Sequence, residues 1–271
     1  MALVFDISGS VMQEGLLDPL VYTSTMLDGL GDAKLAVYGF DASLERFCRP
    51  AREFNELKDC LDRVMNYHCG SKPRPEVIGL QHPAKRKSDS RGGTWLYEFV
   101  LAAAKDMAAV AGDATRLTLV FSEGSPSTTT RPEDIRPGLN ELGIAACPVA
   151  LGHQRLVERS KAIQDSGYNG SAVLSEVARN RLRRIQVQEL QIMEFTSLGE
   201  LTGARSFDPP VINLIMLQNI LGFVVGQVQC EYVVGFSPDG RSGPPMKHRL
   251  EVRLRAKDLS KLLGGTRTVV H

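Results

Sequence analysis

Short apolar runs alternate along this chain with longer stretches whose apolar positions recur every three or four residues. That alternation predicts an α/β protein. Residues 3–5 (LVF), 34–40 (KLAVYGF), 44–48 (LERFC), 116–121 (RLTLVF) and 144–151 (IAACPVAL) read as strands. The last of these has little polarity, as expected of a central parallel strand covered on both faces. Helical spacing fills the intervals. One helix is predicted after Asp18-Pro19, an N-cap followed by proline at the first helical position. Others are predicted near 53–65, from Thr94 through Leu96, Phe99, Val100, Ala103 and Met107, and near 133–142. The pattern implies a doubly wound, mainly parallel sheet with helices on both faces.

Residues 153–190 break this rhythm with a polar, arginine-rich stretch, predicted to be helical over 173–190. The segment MEFTSLGELTGARSF (193–207) predicts a helix closed by Gly203 and a short strand after it. A long apolar helix, VINLIMLQNILGFVVGQVQ, follows Pro209-Pro210. EYVVGF and HRLEVRLRA, joined by SPDGRSGPP, then predict a β-hairpin. The expected organisation is a main domain over residues 1–210, with 153–190 as a polar helical insertion, and a helix-plus-hairpin extension over 211–271.

With 271 residues, 43% of them hydrophobic, the chain can bury one sizeable core. Its 32 basic and 31 acidic residues nearly cancel, so no global field draws it to nucleic acid or to an anionic membrane. Charge must act locally. The basic segment 71–93, with Lys85, Arg86, Lys87 and Arg91, reads as a solvated loop that leads into Thr94, or as a device steering an acidic partner. The run ARNRLRRIQ (178–186) reads as a water-facing helix surface, with binding to phosphate or acidic protein as the alternative. No apolar stretch approaches the roughly 20 residues of a membrane span, and the start lacks the basic-then-apolar layout of a secretory signal. Cys48, Cys60, Cys69, Cys147 and Cys230 are widely spaced, without CxxC, and predict buried free thiols. A Cys60–Cys69 bridge is the alternative for an exported protein. The histidines (His68, His82, His153, His248, His271) show no metal-binding or catalytic spacing.

The densest chemistry follows the first strand. VFDISGSVM (4–12) sets Asp6, Ser8 and Ser10 at every second position, at the carboxyl end of a strand, where ligands of doubly wound sheets sit. Two other segments belong at such ends: GGT (92–94) ahead of a helix and FSEG (121–124) after a strand. Their convergence would gather Asp6, Ser8, Ser10, Thr94 and Glu123 into a cluster of hard oxygens. Such a set suits Mg2+ or Mn2+, which favour few carboxylates and keep several waters. Two carboxylates balance the charge of the ion, and an open position could take a carboxylate from another protein. That chemistry is recognition, not catalysis.

These segments, in this order and spacing, resemble the metal-ion-dependent adhesion site (MIDAS) of von Willebrand factor type A (VWA) domains. LGELTGARSF and EYVVGFSPDG…HRLEVRLRA resemble more narrowly the VWA-related proteins common in acidobacteria. The resemblance implies a six-stranded, Rossmann-like sheet with one antiparallel edge strand. It also implies a Mg2+ at the upper rim and adhesion to a protein that presents an acidic side chain. In that family the hydroxyls matching Ser8, Ser10 and Thr94 touch the metal, and the acids often act through water. Ser122, Glu123 and Gly124 stand where the family usually carries threonine, aspartate and glycine. The longer glutamate would either reach the ion directly or swing away. The family also carries an export signal and a β-rich segment before the first strand, so a fragment of an extracytoplasmic protein is one expectation.

Two other functions compete. An aspartate after an apolar strand also opens the haloacid-dehalogenase phosphatases, as a nucleophile assisted by Mg2+, but these need a second acid two residues on, where Ser8 stands. A scaffold with a vestigial metal site is the other, and Glu123 is its best support.

Overall fold

The computed structural model describes residues 1–13, 15–17, 34–67, 75–81, 95–111, 116–167, 176–210, 213–229, 247–249 and 268–270. A six-stranded sheet is built from β1 (Ala2–Asp6), β2 (Leu35–Phe40), β3 (Ser43–Ala51), β4 (Glu76–Gln81), β5 (Arg116–Ser122) and β6 (Ile144–Ala150). Its order is β4-β3-β2-β1-β5-β6. Strands β2, β1, β5 and β6 run parallel, and β3 is antiparallel to both of its neighbours.

Strand β1 lies at the centre and every residue in it is buried. Alternation divides its side chains between two layers. Leu3 and Phe5 join a core beneath α2 (Phe54–Met65) and α7 (Leu214–Gln229). Ala2 and Val4 join a second core beneath α3 (Leu96–Ala111), α4 (Pro132–Glu141) and α6 (Glu176–Thr202). Helices cover both faces, as the apolar runs predicted. The remaining helices are α1 (Gly9–Gln13) and α5 (His153–Gly167).

Several expectations are corrected. The antiparallel strand β3 is not at the edge, because β4 pairs outside it. β4 itself falls within the segment expected to be a loop (71–93). Arginine-rich residues 153–190 do not merely interrupt the fold: Leu156 of α5 and Ile185 of α6 are buried in the second core. The two helices predicted over 173–190 and from 193 onward are one continuous helix, α6. It closes at Gly203 (φ 80°), and Phe207 then makes a single parallel bridge to Val149.

Cysteine pairing also differs. Cys48 of β3 and Cys60 of α2 form a disulfide with Cα atoms 5.7 Å apart, which replaces both the free thiols expected there and the Cys60–Cys69 alternative. Spacing along the chain cannot show that a helix docks Cys60 onto β3. Cys147 is the buried free thiol that was expected, and burial pushes it up to about 12. Cys69 and Cys230 lie outside the described residues, as does the helix expected after Asp18-Pro19. Of the predicted hairpin, residues 231–236 and 250–256 also lie outside them. His248 and Arg249 belong to β7 (Lys247–Arg249), which pairs antiparallel with β8 (Thr268–Val270), a partner the sequence reading did not assign.

Candidate metal centre

The carboxyl ends of β1 and β5 are brought together by register. Phe5 is paired with Phe121 across the two strands, and their rings stack with centroids 5.0 Å apart. One residue further on, Asp6 and Ser122 face each other. Ser122 Oγ donates to Asp6 Oδ2 at 2.6 Å, and the backbone N–H of Ser8 donates to Asp6 Oδ1 at 3.0 Å. Both carboxylate oxygens are thereby oriented, and Asp6 is almost completely buried. Burial pushes its carboxyl up to about 6. The hydrogen bonds from Ser122 and Ser8 oppose that rise, and the nearby Glu123 charge adds to it.

Beyond Asp6 the chain turns into α1, so Ser10 sits in the first turn of a short helix. Ser8 Oγ and Ser10 Oγ are 3.3 Å apart, and Ser10 Oγ donates to Glu123 Oε1 at 2.7 Å. Glu123 therefore points across to the first loop; the alternative in which it swings away is not what its side chain does. Gly124 closes the opposite side. Its N–H donates to Ser122 Oγ at 3.0 Å, and its φ of 70° is one that residues with a Cβ rarely adopt. A Cβ there would also approach Cβ of Phe195 to 3.1 Å and Cα of Ile192 to 3.3 Å, so glycine lets this loop lie against α6.

Four of the five expected ligands, Asp6, Ser8, Ser10 and Glu123, thus share one rim. Thr94, with Gly92, Gly93 and the basic residues Lys85, Arg86, Lys87 and Arg91, lies outside the described residues. Trp95, one residue after Thr94, is half-buried and stacks on Phe99. Ser122 is the contributor the ligand list missed. It occupies the place of a family threonine, and its signal is a hydroxyl on the strand residue beside Asp6.

The donor set fits a small hard cation. Adjacent ligands of an octahedral ion with contacts of about 2.1 Å lie roughly 3.0 Å apart, close to the Ser8–Ser10 and Ser10–Glu123 separations. Every group is an oxygen, with neither sulfur nor imidazole. Among the described residues no group of three or more His, Cys, Asp or Glu side chains is placed to hold a metal ion. Hydroxyls would have to complete the shell.

No protein-family model and no curated protein matches the sequence. Solved structures share the general arrangement. BatB from Bacteroides thetaiotaomicron matches with 10% identity and a TM-score of 0.47, over 85% of this chain and 98% of that one. An aerotolerance-related membrane protein from Bacteroides fragilis gives 11% and 0.48, over 83% and 98%. Proximal thread matrix protein 1 from the mussel byssus, in a structure with a zinc-occupied MIDAS motif, gives 15% and 0.45, over 83% of this chain and 44% of that one. At such values these likenesses say nothing of what the chain binds or does. The sheet order and the helices on both faces make this a doubly wound α/β domain, and the DxSxS at the tip of its central strand is the segment that resembles a VWA metal site.

Proposed function

We propose that the chain is a divalent-cation-dependent protein-binding module of the adhesion type. Asp6, Ser8, Ser10, Thr94 and Glu123 hold Mg2+ or Mn2+, and the ion accepts a carboxylate from a protein partner. The observation that carries this reading is the contact between Ser10 and Glu123. Residues 113 positions apart in sequence meet at the rim beside a carboxylate whose two oxygens are already oriented. Such preorganisation around a buried acid lowers stability unless a cation offsets it. With both Asp6 oxygens already accepting hydrogen bonds, that acid would act through a water, and the hydroxyls would hold the ion. Glu123, one carbon longer than the usual aspartate, would hold the ion beside Ser10. The ion would keep a water-filled position that a partner's carboxylate could take.

The same arrangement argues against catalysis by Asp6. The haloacid-dehalogenase nucleophile is followed two residues on by a second acid, and here position 8 is a serine. The Cys48–Cys60 disulfide supports an extracytoplasmic location, since such bonds persist in oxidising compartments.

Calorimetry and thermal shift with MgCl2 and MnCl2 test the reading. Binding heat and a raised melting temperature, both abolished in Asp6→Ala, are expected. Absence of heat and of any shift with either ion would instead favour the vestigial scaffold.

A further inference from the structure

We propose that the α5–α6 pair is a second contact surface, which holds an acidic protein segment around an apolar anchor residue. Helix α6 runs antiparallel to β6: Thr202 Oγ1 accepts from the Ala146 N–H, while Ile192 and Phe195 lie against Gly124, beyond the end of β5. The helix is therefore level with the metal rim near residue 192. Its preceding turns, residues 176–191, continue past that rim for about 24 Å at 1.5 Å per residue. Helix α5 leaves the same rim directly after β6 and packs antiparallel on those turns. The two form an arm beside the cation site.

A groove of about 360 Å³ runs between them, lined by Arg159, Ala162 and Ile163 of α5 and by Arg181, Arg184 and Ile185 of α6. Each triplet follows an i, i+3, i+4 spacing, which puts all six side chains on the facing surfaces. The floor is apolar, the rim carries three permanent positive charges, and no acid lines it. Among the described residues neither Arg181 nor Arg184 pairs with a carboxylate. The volume is at the small end for ligand sites and admits side chains, not a large cofactor.

This chemistry selects among occupants. Single-stranded nucleic acid is held by stacking on aromatic rings, and the groove has none. A membrane is met by a convex apolar face, whereas this apolar surface is recessed between two helices. An extended peptide with an apolar residue flanked by carboxylates satisfies both floor and rim, with Arg forks that bind carboxylate in bidentate fashion. The groove lies about 10–17 Å beyond the rim, counted along α6 from Ile192 to Ile185 and Arg181. A partner could thus place one acid on the ion and others here. That linkage rests on the metal-site reading; binding in the groove does not.

A phage-displayed library of random short peptides, selected on the immobilised full chain in EDTA, tests the proposal without the metal. Enriched peptides are expected to carry carboxylates around one apolar residue. Their binding should weaken about tenfold or more in the exposed double variant R181E/R184E and stay unchanged in Asp6→Ala. No enrichment, a neutral or basic consensus, or binding that survives the charge reversal would overturn it. So would tighter binding of phosphatidylserine vesicles or single-stranded DNA that the same reversal abolishes. Failure of the metal reading appears separately, as missing magnesium heat with peptide binding intact.

Discussion

Ser122 Oγ lies 2.6 Å from Asp6 Oδ2, across two parallel strands held in register by the stacked Phe5 and Phe121. The hydroxyl donates to the acid while it accepts from the Gly124 N–H, so one atom fixes both the carboxylate and the loop that carries Glu123. Removing it in Ser122→Ala leaves a buried acceptor and a buried N–H unsatisfied, at a cost of about 1–3 kcal/mol. Partners that orient a ligand typically alter metal affinity by about 10–100-fold. Ser122→Ala should therefore weaken magnesium binding within that range, whereas Ser122→Thr should retain it. Calorimetric titration of the two variants at equal pH checks this.

The buried Asp6 makes stability depend on pH in a stated direction. Without a cation its carboxyl titrates at about 6, against about 3.9 in an unfolded chain. Below pH 4 both states are protonated and the group has no effect. As pH rises from 4 to 6 the unfolded chain ionises first, so the folded protein loses stability, by an amount on the order of 3 kcal/mol that is complete above pH 6. In EDTA the unfolding free energy should fall over that window, and in Asp6→Asn the fall should vanish. Excess magnesium should oppose the fall, because the ion favours the ionised form. Urea titrations across the window provide the measurement, and a wild-type profile as flat as that of the Asn variant would contradict it.

How much of this could be read from the residues depends on what each element buries. β1, β2, β5 and β6 were legible because neighbours on both faces demand unbroken apolar runs. β4 was not: Glu76 and Val77 are exposed and Ile78 is only partly buried, so this start of an edge strand writes no clear period into its sequence. Helix α6 was split in the reading because its two halves serve different surroundings. Its first turns face α5 and water, while Phe195 and Leu198 face the core, and a change of amphipathic register looks like a break. At the rim, the meeting of Asp6, Ser8, Ser10 and Glu123 was legible through motif and order, since strand ends of a doubly wound sheet converge on one edge. Ser122 was harder to see, as a buried serine on a strand carries no signal until its neighbour across the sheet is known.

Cys48 and Cys60 staple α2 to β3. Their sequence separation is 12, and closing a loop of that size removes unfolded-state entropy worth about 3 kcal/mol. Intact mass under non-reducing conditions should be two hydrogens lighter than after reduction. Cys48→Ser/Cys60→Ser should unfold at correspondingly lower urea, with magnesium heat retained because the bridge is remote from the Asp6 loop. A variant as stable as the wild type would show that the pair is not joined.

The helix Leu96–Ala111, which begins just after Thr94, is anchored to the sheet through Asp106. Buried Arg46 of β3 donates from Nη1 to both oxygens of Asp106, at 2.9 and 2.6 Å, and Tyr38 of β2 donates to Asp106 Oδ2 at 2.8 Å. Asp106 belongs to α3, so this cluster ties that helix to two strands and sets its seat on the sheet. Nη2 of Arg46 also meets Glu76, but that carboxylate is half exposed and water screens it. Asp106→Ala would strand a buried guanidinium and a buried phenol hydroxyl, at a cost of about 3 kcal/mol or more. Tyr38→Phe removes a single hydrogen bond, worth about 1 kcal/mol. Since the three groups share one carboxylate, the losses in Asp106→Ala and Tyr38→Phe should not add, and a double-mutant cycle in urea should show coupling above about 0.5 kcal/mol. If α3 then shifts on the sheet, magnesium affinity should fall in Asp106→Ala and not in Tyr38→Phe, where Arg46 still holds the helix. Equal affinity in both variants would mean that the cluster stabilises the fold without positioning the start of α3.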